Sequence, residues 1–201
     1  MKKSLILMAG VLLTAQANAD EFHPYIGGGI GKTSINDSGW SVSEQEGSRM
    51  KSNAMDYHAF AGVYQDKIFG FELGYTKYGR TSIADGIGKA VDYHWQPTSI
   101  SASVNMGYTS KSGIRPFVLL GGSYVKINQS RPLIKNGENG VVGLHYGIGA
   151  EYAPAVTKGV TFRVAYEGDM IEINRSSIVD PAGKDYGISL GSVYAGAAYK
   201  F

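Results

Sequence analysis

Residues 187–201 read GISLGSVYAGAAYKF, and their alternation decides the fold predicted for the whole chain. From Val193 onward, every second residue is apolar: Val193, Ala195, Ala197, Tyr199 and Phe201. The residues between them are small or polar: Ser192, Tyr194, Gly196, Ala198 and Lys200. A period of two predicts a β-strand with two unlike faces. An apolar face ending in aromatic rings is typical of a transmembrane barrel, where every backbone polar group must be paired.

The first 19 residues have the three parts of a secretory signal peptide. Lys2 and Lys3 are basic, residues 5–13 are apolar, and Ala17 and Ala19 form a small-residue cleavage site. The apolar run has about half of the ~20 residues that a spanning helix needs. We therefore expect export through the Sec pathway, removal of residues 1–19, and a single barrel domain over residues 20–201.

Composition agrees with an outer-membrane location. The 201 residues include 19 Lys and Arg against 17 Asp and Glu, and loss of Lys2 and Lys3 leaves 17 of each sign. A neutral chain gives no reason to expect a nucleic-acid partner. Without cysteine there is no disulfide, lipoprotein anchor or thiol chemistry. The 28 glycines and 14 tyrosines suit a narrow barrel with an aromatic girdle.

The two-residue alternation recurs along the chain and predicts eight strands. They are residues 22–34, 56–64, 68–80, 97–109, 114–127, 142–153, 159–174 and 187–201. The connections alternate between long loops and short turns, the longest loop being residues 35–55. Barrels of the Gram-negative outer membrane turn tightly in the periplasm and loop widely outside. The sequence predicts an all-β, eight-stranded antiparallel up-and-down transmembrane β-barrel with four exterior loops.

Charged residues within the apolar runs indicate which face lines the interior. Glu72 lies between Phe71 and Leu73, and a charge at that depth costs a few kcal/mol if it faces lipid. Glu151 and Arg163 fall at equivalent positions in later strands. A soluble, lipocalin-like barrel would have apolar residues inside and charges outside, so these three residues disfavour it.

Several segments resemble the transmembrane barrel of the OmpA family. Residues 62–65 (GVYQ), 70–75 (GFELGY) and 79–80 (GR) are similar to its second hairpin, and residues 120–122, 151–152 and 196–201 to its later strands. A barrel of this size is more loosely similar to the OmpX/Ail group and to the accessory colonisation factor A family. The resemblance does not include the periplasmic peptidoglycan-binding domain of OmpA, so no cell-wall tether is expected.

The resemblance implies a network of charges inside the barrel. Two glutamates, an arginine and a lysine meet in the OmpA interior; Glu72, Glu151 and Arg163 match three of them, and Asn105 stands in place of the lysine. Arg163 then either bridges the glutamates as a plug or exchanges partners as a gate. Buried charges must be paired, and loss of the lysine favours the plug.

The resemblance also implies partners in the envelope. Gly196, Tyr199 and Phe201 resemble the C-terminal assembly signal of outer-membrane proteins. We therefore expect the chain to meet periplasmic chaperones and the assembly machinery, and then to lie as a monomer among outer-membrane lipid and lipopolysaccharide. No cofactor is expected.

Three histidines, His58, His94 and His145, are predicted near the outer rim, and the triplet Asp-Tyr-His occurs twice. A carboxylate beside an imidazole would suit a hydrolytic or metal site. However, the His-x-Ser pair of lipid A deacylases is absent, and an omptin-like protease needs ten strands. We therefore predict solvated rim residues, with no catalytic residue and no metal.

The function favoured by the sequence is surface interaction, such as adhesion, colonisation or the binding of a host factor. Loops on a rigid scaffold commonly carry recognition, and residues 35–55 form the longest one. Two alternatives remain open: a narrow ion or small-solute channel gated by the interior charges, and a purely structural role in the envelope.

Overall fold

The computed structural model describes residues 22–36, 38, 49–52, 54–65, 68–84, 90–130, 140–173 and 186–201. The predicted signal peptide, with Ala17 and Ala19, lies outside these ranges, as do residues 39–48 of the longest predicted loop. In chain order, the strands are β1 (His23–Asn36), β2 (Arg49–Ser52), β3 (Met55–Tyr64), β4 (Phe69–Lys77), β5 (Thr81–Ala84), β6 (Ala90–Trp95), β7 (Thr98–Gly107), β8 (Ile114–Lys126), β9 (Val141–Tyr152), β10 (Val160–Ile173) and β11 (Tyr186–Lys200).

Eight of these strands form one closed antiparallel barrel, which confirms the predicted fold class. Around the wall the order is β1, β3, β4, β7, β8, β9, β10 and β11, and β11 pairs with β1 again. Apart from the pairing of β11 with β1, each barrel strand therefore pairs with the barrel strands next to it along the chain. Three connections are short, and they lie at the end of the barrel where β1 begins and β11 ends. The four long connections lie at the opposite end of the barrel.

The remaining strands form a small second sheet in the order β2, β5, β6. The prediction that residues 35–55 and the connection at residues 81–96 are loops is therefore wrong for Arg49–Ser52, Thr81–Ala84 and Ala90–Trp95. The pairing joins Arg49 to Ala84, in different connections, so no local periodicity reveals it. The described ranges contain one short 3-10 helix (Ala155–Thr157) and no helix long and apolar enough to cross a membrane.

The seam between β1 and β11 closes the barrel over twelve paired positions, from Tyr25 opposite Lys200 to Asn36 opposite Ser189. Past the strand end, the Phe201 N–H donates to the Pro24 carbonyl oxygen at 2.9 Å. Gly196 lies opposite Gly29 in this seam. A Cβ atom at Gly196 would lie 2.3 Å from the Gly28 carbonyl oxygen, so the seam needs a residue without a side chain there.

The two faces of the wall follow the predicted alternation over most of the barrel. In β11, Val193, Ala195, Ala197 and Tyr199 are exposed on the outer face, and Ser192, Tyr194 and Ala198 are buried inside. Ile114, Val118, Leu120 and Tyr124 of β8 are also exposed outside, although the apolar run through Leu119 and Leu120 obscures the pattern. An apolar outer band is what the hydrocarbon of a membrane requires.

Near the long connections, this alternation inverts. The inward positions become apolar and form the upper apolar cluster, which consists of Tyr78, Trp95, Val125, Ile127, Ile171, Ile173, Ile188 and Leu190. Outward positions at this end include Lys77, Lys126 and Glu172, all exposed. The expectation of a polar interior is therefore wrong for this end. A wall with water outside and a packed interior follows the rule of soluble barrels instead.

Replacing Gly196 with valine should destabilise the barrel at its seam. The new side chain meets backbone atoms of β1, and such overpacking costs about 1–3 kcal/mol. The urea midpoint for unfolding in lipid vesicles should fall. The matched control is Ala195→Val, one residue away but exposed on the outer face, which should change the midpoint little. Equal midpoints for the two variants would contradict the close approach at Gly196.

Candidate functional site

Arg163 lies at the centre of the barrel interior and joins two carboxylates. It is 1% exposed, and its Nη1 and Nη2 atoms donate to Glu72 Oε1 and Oε2 at 2.9 and 2.7 Å. Nη2 also donates to Glu151 Oε1 at 2.8 Å. Glu151 faces Arg163 directly in the β9–β10 pair, and Glu72 reaches it from β4 across the interior. We call Arg163, Glu72 and Glu151 the central ion cluster.

Asn105 adjoins this cluster and links it to a second arginine. The Asn105 amide donates to Glu72 Oε2 at 3.3 Å and accepts a hydrogen bond from Arg115 Nη1 at 2.8 Å. Arg115 Nη1 also lies 3.8 Å from Glu151 Oε2, and Lys200 Nζ lies 3.4 Å from the same oxygen. Two cations from other strands, Arg115 and Lys200, therefore lie beside Glu151, whereas Asn105 replaces the expected lysine.

Arg115 and Lys200 were not predicted as members of this network. The apolar run at residues 117–120 obscured which face of the strand points inward. The alternation of the strand could have revealed the inward position of Arg115, because Arg115 lies an odd number of residues from the outward residues Val118 and Leu120. Lys200 alternates with Tyr199 and Phe201 in the same way.

Aromatic rings fill the space around the central ion cluster. Tyr25 donates to Glu72 Oε2 at 2.5 Å, and Tyr64 donates to Glu151 Oε1 at 3.0 Å. The Arg163 guanidinium carbon lies 3.9 Å from the Phe60 ring centre and 4.8 Å from that of Phe117. Rings on the guanidinium faces and oxygens at its edges leave it fully enclosed.

A second polar layer lies above the cluster, towards the long connections. His145 Nδ1 lies 2.9 Å from Asp169 Oδ1, and Tyr78 donates to Asp169 Oδ2 at 2.7 Å. His58 Nε2 lies 2.9 Å from Ser192 Oγ. We call His58, His145, Asp56, Glu167 and Asp169 the histidine–carboxylate layer.

The prediction that the histidines are solvated rim residues is wrong for two of them. His58 is 7% exposed and His145 is 3% exposed, both inside the barrel. The wall continues beyond them, since β3 begins three residues before His58 and β9 begins four residues before His145. His94 lies in β6 and is half-buried, so the structure does not bring it to the other two.

Tyr194 and Glu167 join the two polar layers. Tyr194 donates to Glu167 Oε1 at 2.5 Å and accepts from Arg163 Nη1 at 3.3 Å. The His58 ring stacks on Tyr194 with centres 4.0 Å apart. Glu167 Oε2 lies 3.9 Å from His58 Nδ1. Glu167 Oε2 also lies 4.0 Å from His145 Nε2, and His145 contacts Asp169, so polar groups follow one another from the centre of the barrel to Asp169.

Tyr78 connects the histidine–carboxylate layer to the upper apolar cluster above it. It lies past the end of β4, where burial and the nearby Asp169 carboxylate raise the pKa of its phenol well above the usual value. The phenol therefore stays protonated and donates to Asp169. From bottom to top, the interior holds an ion cluster, a histidine–carboxylate layer and an apolar layer.

The arrangement of the interior does not favour catalysis or metal binding. Across the described part of the chain, no group of three or more His, Cys, Asp or Glu side chains is placed to hold a metal ion. Ser192 is next to an imidazole, but it is fully buried and has no room for a substrate. What these groups can do chemically is to pair with one another.

The residues of the predicted assembly signal lie on both faces of β11. Tyr199 and Phe201 point outward with ring centres 5.1 Å apart in an edge-to-face arrangement, and Gly196 lies in the seam. The rings lie at the short-turn end, as the lower half of an aromatic girdle would. Their role in assembly stays a prediction.

A family model described as an outer membrane protein beta-barrel domain matches residues 4–201. Outer membrane protein A of Klebsiella aerogenes is 24% identical over 172 residues, covering 83% of this chain and 48% of that protein. The chain thus spans about half the length of this curated relative.

Two solved structures have a similar fold. Ail, the attachment invasion locus protein of Yersinia pestis, is 13% identical with a TM-score of 0.53, covering 90% of this chain and 99% of Ail. The outer membrane protein OprG from Pseudomonas aeruginosa is 15% identical with a TM-score of 0.55, covering 90% and 95%. At these identities the likeness is one of fold.

Replacing Arg163 with alanine should lower the free energy of unfolding by about 3–5 kcal/mol, because it leaves two buried carboxylates without their main partner. Lys200→Ala is the matched control, since Lys200 contacts Glu151 from a partly exposed position and should cost about 1 kcal/mol or less. Urea titration in vesicles measures both. A loss for Arg163→Ala no larger than for Lys200→Ala would show that the central ion cluster is not important for stability.

Proposed function

The chain belongs to the outer membrane protein beta-barrel domain family, and from that premise we propose that it is a plugged barrel that presents its long connections outside the cell for surface interaction. Adhesion, colonisation and the binding of a host factor are interactions of this kind. The observation that carries the proposal is the filled interior: three successive layers leave the long-connection end as the part available for recognition.

The proposed orientation rests on the lengths of the connections. Outer-membrane barrels have short periplasmic turns and longer extracellular loops. The three short turns, with the chain end at Phe201, would then lie in the periplasm. The sheet of β2, β5 and β6 would lie outside, together with the upper apolar cluster.

The plug rests on the pairing of charges in the central ion cluster. A gate needs its charged partners to exchange. Arg163, however, donates to both carboxylate oxygens of Glu72 and to Glu151, and two aromatic rings pack against its guanidinium group. An eight-stranded interior is just wide enough for side chains to fill it. The apolar layer above adds a second closure, because an ion entering it would lose its water without gaining a partner.

The recognition surface would be built on the sheet of β2, β5 and β6. This sheet joins the first two long connections and gives them a folded base at the end of the barrel. Trp95 at the end of β6 is fully buried in the upper apolar cluster, which fixes the sheet to the barrel wall. Loops that are held on a rigid scaffold commonly carry recognition.

Replacing residues 39–48 with a short Gly-Ser linker should weaken binding to host cells. The change removes part of the first long connection and keeps β2. Loss of a segment that contains binding hot spots should lower cell attachment by at least about tenfold. The measurement is attachment of bacteria that carry each variant to an epithelial monolayer.

The control for that experiment is the double variant Lys111→Gly, Ser112→Gly. Both residues are exposed and lie at the opposite end of the barrel. The control should attach as the parent protein does. If the linker variant also attached fully at equal surface levels, the surface-interaction proposal would fail, and a purely structural role would take its place.

Planar bilayers that contain the purified protein should stay silent in single-channel recordings. Arg163→Ala should stay silent too, because the upper apolar cluster still closes the interior above the vacated site. Stable openings in the parent protein that Arg163→Ala alters would contradict the plug. The central ion cluster would then act as the gate of a narrow channel.

A further inference from the structure

The five side chains of the histidine–carboxylate layer alternate between carboxylate and imidazole across the barrel interior. His58 Nε2 lies 3.4 Å from Asp56 Oδ1, and His58 Nδ1 lies 3.9 Å from Glu167 Oε2. The same Glu167 oxygen lies 4.0 Å from His145 Nε2, and His145 Nδ1 lies 2.9 Å from Asp169 Oδ1. All four ring nitrogens therefore face a carboxylate.

A carboxylate at each ring nitrogen suits imidazolium and does not suit neutral imidazole. The neutral ring has an N–H on one nitrogen and a lone pair on the other, whereas the protonated ring has an N–H on both. In either neutral tautomer, His145 would turn a lone pair towards Asp169 or towards Glu167. The geometry at His145 thus favours the protonated ring.

His58 has the same arrangement, with two hydroxyl groups in direct contact. Its Nε2 lies 2.9 Å from Ser192 Oγ, and its Nδ1 lies 3.3 Å from Thr76 Oγ1. Hydroxyl oxygens can accept from both N–H groups of a protonated ring. Asp56 is fully buried, and its Oδ1 accepts no hydrogen bond from the described residues. A protonated His58 would supply the positive charge that this oxygen needs.

The balance of charge in the described interior points to the same state of the two rings. Three cations lie in it: Arg115, Arg163 and Lys200. Five carboxylates lie in it: Asp56, Glu72, Glu151, Glu167 and Asp169. With neutral imidazoles, two negative charges remain unbalanced, and a proton on each of the two rings balances them. A buried charge without a partner is costly, so the balanced state is the stable one.

One cation approaches the layer from the other polar layer, since Arg163 Nη1 lies 3.8 Å from Glu167 Oε1. The same guanidinium already donates to Glu72 and Glu151. Among the described residues, no further cation forms an ion pair with the layer. Apart from Arg163, the titratable and charged groups that face the two rings are Asp56 of β3, Glu72 of β4, Glu167 and Asp169 of β10, Tyr194 of β11, and Tyr78 beyond β4.

The layer joins opposite sides of the barrel wall. Its members lie on β3, β9 and β10. β3 and β9 are four places apart in the eight-stranded wall and therefore face each other across the interior. At Asp169 the layer also meets Tyr78, which belongs to the upper apolar cluster. A change of charge in the layer thus acts on contacts between strands that do not pair with each other.

We propose that His58 and His145 each bind a proton in the folded barrel, and that the histidine–carboxylate layer is a proton-dependent link between opposite strands. With both rings protonated, the alternating charges hold β3 to β9 and β10. When the pH rises and the protons leave, three carboxylates remain close together and the link weakens. The stabilisation is therefore present at acidic pH and lost as the pH rises. The inference concerns the interior alone and does not depend on the orientation of the barrel.

The first test is urea titration of the protein in phosphatidylcholine vesicles at ~pH 5.5 and ~pH 7.5, the range in which histidine titrates. A histidine that keeps its proton in the fold, and releases it from the unfolded chain at an ordinary pKa of about 6.5, raises the unfolding equilibrium constant about tenfold over this range. Two such histidines should raise the constant about a hundredfold in the parent protein. The double variant His58→Gln, His145→Gln should lose this pH dependence, whereas the control His94→Gln, in β6, should keep it.

A second variant, Glu167→Gln, serves if the double variant does not fold. It removes the carboxylate that both rings face and keeps the size of the side chain. One negative charge fewer needs one proton fewer, so the unfolding equilibrium constant of this variant should rise only about tenfold over the same range.

Nitrogen-15 NMR of the folded protein, labelled in its four histidines, measures the bound protons directly. At ~pH 7.5 two rings should be imidazolium in the parent protein, and both signals should be missing from the double variant. Fewer than two imidazolium rings, an unfolding constant that does not change with pH, or a pH dependence that persists in the double variant would overturn the inference. None of these results would affect the surface-interaction proposal.

Discussion

The pairing of β11 with β1 is the constraint on which the rest of the structure depends. A strand edge in hydrocarbon would leave a row of N–H and C=O groups without partners, so the last strand must meet the first. Gly196 opposite Gly29 lets the two backbones approach where the seam closes. Once closed, an eight-stranded wall encloses a space that side chains alone can fill. The buried charges follow from that narrowness.

The interior differs in polarity between the membrane level and the end with the long connections. At membrane depth the outer face must be apolar, which leaves charged and polar side chains for the inside, where Arg163, Glu72 and Glu151 satisfy one another. Nearer the long connections, the outer face meets water, and the inside can hold Trp95, Ile171 and their neighbours. Tyr78 joins the two regimes, since its ring packs with the apolar residues and its hydroxyl binds Asp169.

The sequence was sufficient for features that depend on local alternation. The positions of the eight barrel strands, and the inward placement of Glu72, follow from the period of two and the cost of a charge in lipid. Features that join distant segments were not accessible. The pairing of β2 with β5 links two separate connections, and the apolar run around Leu119 obscured the inward face on which Arg115 lies.

The histidines illustrate a third kind of limit. Their inward parity was readable, but their burial was not, because it depends on side chains of other strands that close the interior above them. His58 and His145 were assigned to a solvated rim, whereas the wall continues past both and buries them. Alternation fixes which side of a strand a residue occupies. It does not fix whether an inward residue is buried by other side chains or exposed to water at the end of the barrel.

The inverted alternation near the long connections affects which substitutions this protein can accept during evolution. Replacing an apolar residue with a polar one has different effects on stability on the two sides of the level at which Lys77 and Lys126 lie. Below that level, a polar residue is tolerated inside the wall and excluded outside; above it, charged residues face outward and the interior is mainly apolar. The upper part is thus subject to the rules of a water-soluble domain. Its exposed surface can diversify without any cost imposed by the bilayer, while the part that anchors it stays constrained.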